Sequence, residues 1–87
     1  MPSPCAVYTR QEVFEALQSI SKRDRELILT FMRSLAQNLF QEGDYADEDE
    51  TGRPNQIRIV GRYAVTFWAD HAAREMRVTN LLNADAP

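Results

Sequence analysis

The chain has 87 residues, 44% hydrophobic and 26% charged, enough for the core of one domain and unlike the composition of a disordered tail or a fibre. No apolar run approaches the roughly 18 residues of a membrane span, the start MPSPCAVYTR lacks the basic-then-apolar order of a signal peptide, and Cys5 has no second cysteine for a disulfide or zinc site. A single cytoplasmic domain over residues 1–87, without cofactor or metal, is therefore expected, and its net charge of −3 argues against a polyanionic partner.

That charge is unevenly spread. Residues 42–50 hold six acids and no base, and taking those six away from −3 leaves +3 on the remainder.

In chain order, CAVY (5–8) predicts a short strand. Thr9 with Glu12 three residues on has the form of a capping box, so a helix is expected from Arg10, with Val13, Phe14, Leu17 and Ile20 on its buried stripe. Ser21 and Asp24 open a second helix, separated from the first by a tight turn and running from Lys22 to Phe40. Its stripe is Leu27, Ile28, Phe31, Leu35 and Leu39. Residues 41–54, QEGDYADEDETGRP, carry two glycines, a proline and the acids without any period, which predicts a long, solvated acidic loop. As a calcium loop the segment fails, because a frame starting at Asp47 puts Arg58 where the closing glutamate belongs.

Three alternating segments follow. NQIRIV (55–60) places Ile57 and Ile59 inward, RYAVTFWAD (62–70) places Tyr63, Val65 and Phe67 inward, and EMRVTNLL (75–82) places Met76 and Val78 inward. A three-residue connection, Val60-Gly61-Arg62, keeps these faces unmixed by pairing Ile59 with Tyr63 and Ile57 with Val65. The connection at DHAAR is short enough for a hairpin, which Asp70 closes by accepting backbone hydrogen bonds. The expected fold is α+β in the order β-α-α-β-β-β, with a helical hairpin on one face of an antiparallel sheet.

On this reading the uncovered face carries Gln56, Arg58, Ala64, Thr66, Trp68, Glu75, Arg77 and Thr79. Gln56, Arg58, Thr66, Trp68 and Arg77 are the candidate binding surface. Arginines beside an exposed ring suit single-stranded nucleic acid, but a lone uncovered tryptophan more often marks a protein interface or is covered by the chain's own C-terminal residues. Asp70-His71 has the residue types of an acid/base pair, although neighbours on a turn usually face different ways.

The element order, with SISKRDRELILTFMRSLAQNLF in the helical hairpin and IRIVGRYAVTFW in the sheet, resembles the RelE/ParE toxin superfamily of bacterial toxin-antitoxin systems over about residues 5–82. The resemblance implies a cognate antitoxin as partner and, in one branch, ribosome-dependent cleavage of mRNA by basic residues on the open sheet face. Arg58, Arg62 and Arg77 are then the catalytic candidates. The chain departs from the nuclease pattern at Ala64, where those enzymes often have arginine, and in NADAP (83–87), where a further arginine and a terminal aromatic are expected. The family's other branch acts on DNA gyrase by protein contact. Three functions are thus open: a toxin-module protein that binds an antitoxin and a target through the open face, an active mRNA endoribonuclease, and a non-toxic regulatory or assembly module of the same fold.

Overall fold

Two helices lie against one face of a five-stranded sheet in the computed structural model, which describes residues 4–85. In chain order the elements are β1 (Ala6–Thr9), α1 (Gln11–Gln18), α2 (Lys22–Leu35), β2 (Tyr45–Glu48), β3 (Pro54–Val60), β4 (Tyr63–Asp70) and β5 (Glu75–Asn83). The strands lie in the order β1-β5-β4-β3-β2, antiparallel throughout except for the parallel pair β1–β5. This is the expected α+β architecture with one further strand. Neither helix is long and apolar enough to cross a membrane.

The core forms where one face of each helix meets β4 and β5; Phe14 and Leu27, expected on those faces, are instead exposed, and Met32 is buried in the core. Val13 and Leu17 from α1, Ile28, Met32 and Leu35 from α2, and Leu39 beyond it close over Val65, Phe67, Met76, Val78 and Leu81. Phe67 is fully buried and meets the ring of Phe31 edge-on at 5.6 Å. Each such side chain stabilises the fold by roughly 1.5–3 kcal/mol.

Capping decides where the helices begin. Ser21 caps α2, its hydroxyl accepting the Asp24 N–H at 3.2 Å. Thr9 does not cap α1, contrary to expectation. It is the last residue of β1, aligned with Val78, and Arg10 takes the cap position with no side-chain bond. The parallel ladder with β5 has claimed the residue that the capping box required. The α2 helix ends at Leu35 rather than Phe40, and Phe40 is left exposed.

Arg25 ties the hairpin together. Its Nε donates to the Leu17 carbonyl at 2.8 Å, an orphan acceptor in the last turn of α1, and its Nη2 to the Ile20 carbonyl at 3.1 Å in the turn that follows, with a positive charge at the helix end. Arg25→Ala is expected to cost about 2 kcal/mol in urea denaturation, because it leaves these part-buried carbonyls unpaired.

Three further features depart from the sequence expectations, and these bear on the open face. The acidic segment is not a loop throughout, because Tyr45–Glu48 form the edge strand β2 against β3. Gly43 lets the chain enter this strand, since a Cβ there would collide with the Ile57 backbone.

Next, β3 and β4 are joined by a two-residue turn, with Val60 aligned to Tyr63, Ile59 to Ala64 and Ile57 to Thr66. Gly61 has φ +61°, the sign that a type II′ hairpin asks of its first central residue, and this backbone preference overrides the apolar matching that favoured a longer turn. Ile57 and Ile59 therefore face away from the helices. Gln56 and Arg58, aligned with Phe67 and Val65, face the helical side.

Finally, a β-bulge shifts the register of β5: Phe67 aligns with Val78 but Thr66 with Asn80, leaving Thr79 as the extra residue. The shift turns Leu81 into the core and Leu82 out of it.

Candidate interaction surface

One row of residues crosses the open face. Arg77 on β5 is aligned with Trp68 on β4 and with Tyr8 on β1, so the three side chains emerge side by side. The Arg77 guanidinium lies 5.3 Å from the Tyr8 ring centre and 5.9 Å from that of Trp68. Arg53, from the β2–β3 turn, covers the indole more closely, at 4.0 Å. Each such contact contributes about 0.5–1 kcal/mol at an exposed site. Together the residues line an open concavity of about 1040 Å³ that extends along β1 and the adjoining rim to Arg10 and Glu12.

Every arginine of this concavity already has a carboxylate. Arg77 Nη2 meets Glu75 Oε2 at 2.6 Å, Arg53 Nη1 lies 3.9 Å from Asp49 Oδ2, and Arg10 Nε lies 4.0 Å from Glu12 Oε2. Asp70 adds a further carboxylate to the lining. The surface is aromatic and polar with its charges internally balanced, which suits a neutral or mixed-charge partner better than a polyanion.

The turn that holds Arg53 is built on Asp49. Its Oδ1 accepts from the Thr51 hydroxyl at 2.6 Å, the Thr51 N–H at 2.9 Å and the Arg53 N–H at 3.0 Å, while Gly52, with φ +80°, completes the reversal. The Thr51 hydroxyl, followed by the Arg53 N–H, holds the Asp49 carboxyl below its ordinary 3.8. A carboxylate with a lowered folded-state pKa stabilises the fold above the unfolded value and loses that contribution as pH falls through the folded one. Acidification below 3.8 is expected to release Arg53 from Trp68, giving a fluorescence step that Asp49→Ala removes.

Of the five residues expected to form the binding surface, Thr66, Trp68 and Arg77 lie together on the open face. Gln56 and Arg58 do not join them. Gln56 Oε1 accepts the Gly43 N–H at 2.8 Å, and Arg58 sits 3.9 Å from Asp44 and 5.9 Å from the Phe31 ring, at the margin of the helical layer.

The three catalytic candidates are likewise dispersed. Arg58 is on the helical side, Arg62 at the hairpin tip lies 3.8 Å from Asp24 at the start of α2, and Arg77 alone is on the open face. Asp70 and His71 do not act on each other: Asp70 Oδ1 accepts the Ala73 N–H at 3.0 Å to close the β4–β5 turn, as expected, and His71 stacks on Phe40 at 4.9 Å.

No protein-family model matches the sequence, and no curated protein does. Among solved structures, the chain is similar to a chain in the crystal structure of the archaeal RelE-RelB complex from Pyrococcus horikoshii OT3. The two superpose with a TM-score of 0.80 over 97% of this chain and 99% of that one, at 19% sequence identity.

The chain has a RelE-like fold.

Within that RelE-like frame, two members of the surface were missed in the sequence. Arg53 stands in TGRP, inside what reads as a loop, and only the β2–β3 hairpin carries it back over Trp68. Tyr8 has the alternation to be found, since Val7 points inward. Its neighbour, however, is the parallel strand β5, and no local turn signals that pairing. The last two residues of NADAP lie outside the described residues.

Proposed function

We propose that the chain is a RelE/ParE-like toxin-module protein that acts by binding an antitoxin, and a target, through the open face of its sheet. The observation that carries this reading is the row Tyr8–Arg77–Trp68 with Arg53 above it, an aromatic surface whose arginines are already ion-paired. Such a surface favours protein contact, where aromatic and arginine side chains dominate binding energy, over capture of a phosphate backbone. The fold similarity to a chain of the RelE-RelB complex supports a protein partner of the antitoxin kind.

Cleavage of mRNA is the less favoured reading. Stabilising a phosphate transition state requires donors within about 3 Å of one developing oxyanion, and each missing donor costs roughly 10²-fold or more in rate. Arg58, Arg62 and Arg77 occupy the helical margin, the hairpin tip and the open face, each beside a carboxylate.

Induced expression in a bacterial host, with mRNA ends mapped, tests the three readings. The expected result is slowed growth without cuts at codon boundaries, relieved by co-expression of the protein that this chain captures in a pull-down from its native host. Codon-boundary cuts in translating ribosomes would instead establish the nuclease, and unaffected growth would favour the non-toxic module.

A further inference from the structure

Trp68 lies on the face that no helix covers, yet its side chain is only partly exposed. Arg53 accounts for much of that cover. Its guanidinium carbon is 4.0 Å from the indole centre, which is van der Waals contact, so no flat group fits between the two. Arg77, at 5.9 Å, stands further off.

The backbone and the side chain of Arg53 are held differently. The turn beneath it is pinned: besides the three bonds to Asp49 Oδ1, the Asp49 N–H donates to the Arg53 carbonyl at 3.0 Å and the Gly52 N–H to the Asp49 carbonyl at 3.0 Å. Among the described residues, the side chain has two holds, the indole and the Asp49 carboxylate at 3.9 Å. Two such contacts at the surface favour the covered position by roughly tenfold. The guanidinium can therefore leave the ring by rotating its own side chain while the turn stays in place.

We infer that Arg53 is a displaceable cover on Trp68, closed in the free protein and pushed aside when a partner engages the indole; the inference rests on the reading of the open face as a protein-binding surface. A group that stacks on the covered side of the ring binds only the uncovered fraction, so its apparent Kd is raised by the reciprocal of that fraction, here about tenfold. The closed position also serves the free protein. Thr66, two residues before Trp68 on β4, is aligned with Ile57, and Ile57 with the exposed Tyr45, so a bare indole would enlarge an apolar patch.

Trp68 is the sole tryptophan, so the fluorescence of the whole protein reads this site alone. The test uses acrylamide as a neutral collisional quencher and caffeine as a neutral planar group that stacks on indole. Arg53→Ala is expected to raise the acrylamide quenching constant about twofold and to tighten caffeine binding roughly tenfold. Asp49→Asn keeps an Oδ1 acceptor for the turn but no charge to hold Arg53, and moves both readings the same way by less. Arg58→Ala removes the same charge from the helical side and moves neither. Circular dichroism verifies that each variant is folded. The protein captured from the native host is expected to bind Arg53→Ala several-fold more tightly than the wild type. Unchanged quenching in Arg53→Ala, an equal gain in Arg58→Ala, or weaker binding of caffeine or of the captured protein without Arg53 would each overturn the inference. If Arg53→Ala opens the indole while the captured protein binds Trp68→Ala as tightly as the wild type, the open-face reading fails and the cover stands. If that protein needs Trp68 while the indole stays closed in Arg53→Ala, the reading stands and the cover fails.

Discussion

Phe67→Ala is expected to destabilise the protein by about 4 kcal/mol, read as a shift in the urea midpoint with little change in slope. The side chain is fully buried between the helices and β5, and its removal also deletes the edge-on contact with Phe31. Domains of this size are stable by only about 5–15 kcal/mol, so the variant should be partly unfolded at growth temperature. A small change would mean that the helical layer does not rest on β4 as described.

The adjacent substitution, Trp68→Ala, should behave in the opposite way. Trp68 points to the open face, where it meets Arg53 and Arg77 rather than core residues. Its loss forfeits two cation–π contacts and some partly covered surface, under about 2 kcal/mol of folding stability. Binding to the proposed protein partner should weaken by about 2 kcal/mol or more, the usual cost of truncating a central aromatic at an interface. Intact binding by a folded Trp68→Ala protein would remove this residue from the interface.

The contrast between residues 67 and 68 was legible in the sequence because β4 lies in the middle of the sheet with one covered face, which imposes strict alternation. The same reasoning fails on β3. Only part of that strand lies under the helices, so Arg58 can run its stem along the helical margin and keep its head beside Asp44, while Ile57 and Ile59 face out. The apolar pattern there reported the open face, not the core.

Strand β2 was hidden for a different reason. Tyr45–Glu48 are exposed on both faces, so no hydrophobic period marks them, and their charges protect a free edge. Thr79 shows a third limit, since a bulge changes the phase of a strand without a residue type that announces it. The candidate surface was therefore half legible. Trp68, Arg77 and Thr66 follow from alternation within single strands, whereas Arg53, Tyr8 and the isoleucines depend on pairings that only the whole sheet defines.

Side-chain oxidative footprinting of the protein with and without its bound partner tests the central claim most directly. Tyr8, Tyr45 and Leu82 on the open face are 52%, 57% and 58% exposed, and Phe14 and Leu27 on the helices are nearly as open at 49% and 47%. The two sets therefore start with comparable reactivity. If the open face is the working surface, Trp68 and the first set lose reactivity in the complex while Phe14 and Leu27 keep theirs; protection of Phe14 and Leu27, with Trp68 unchanged, would contradict it.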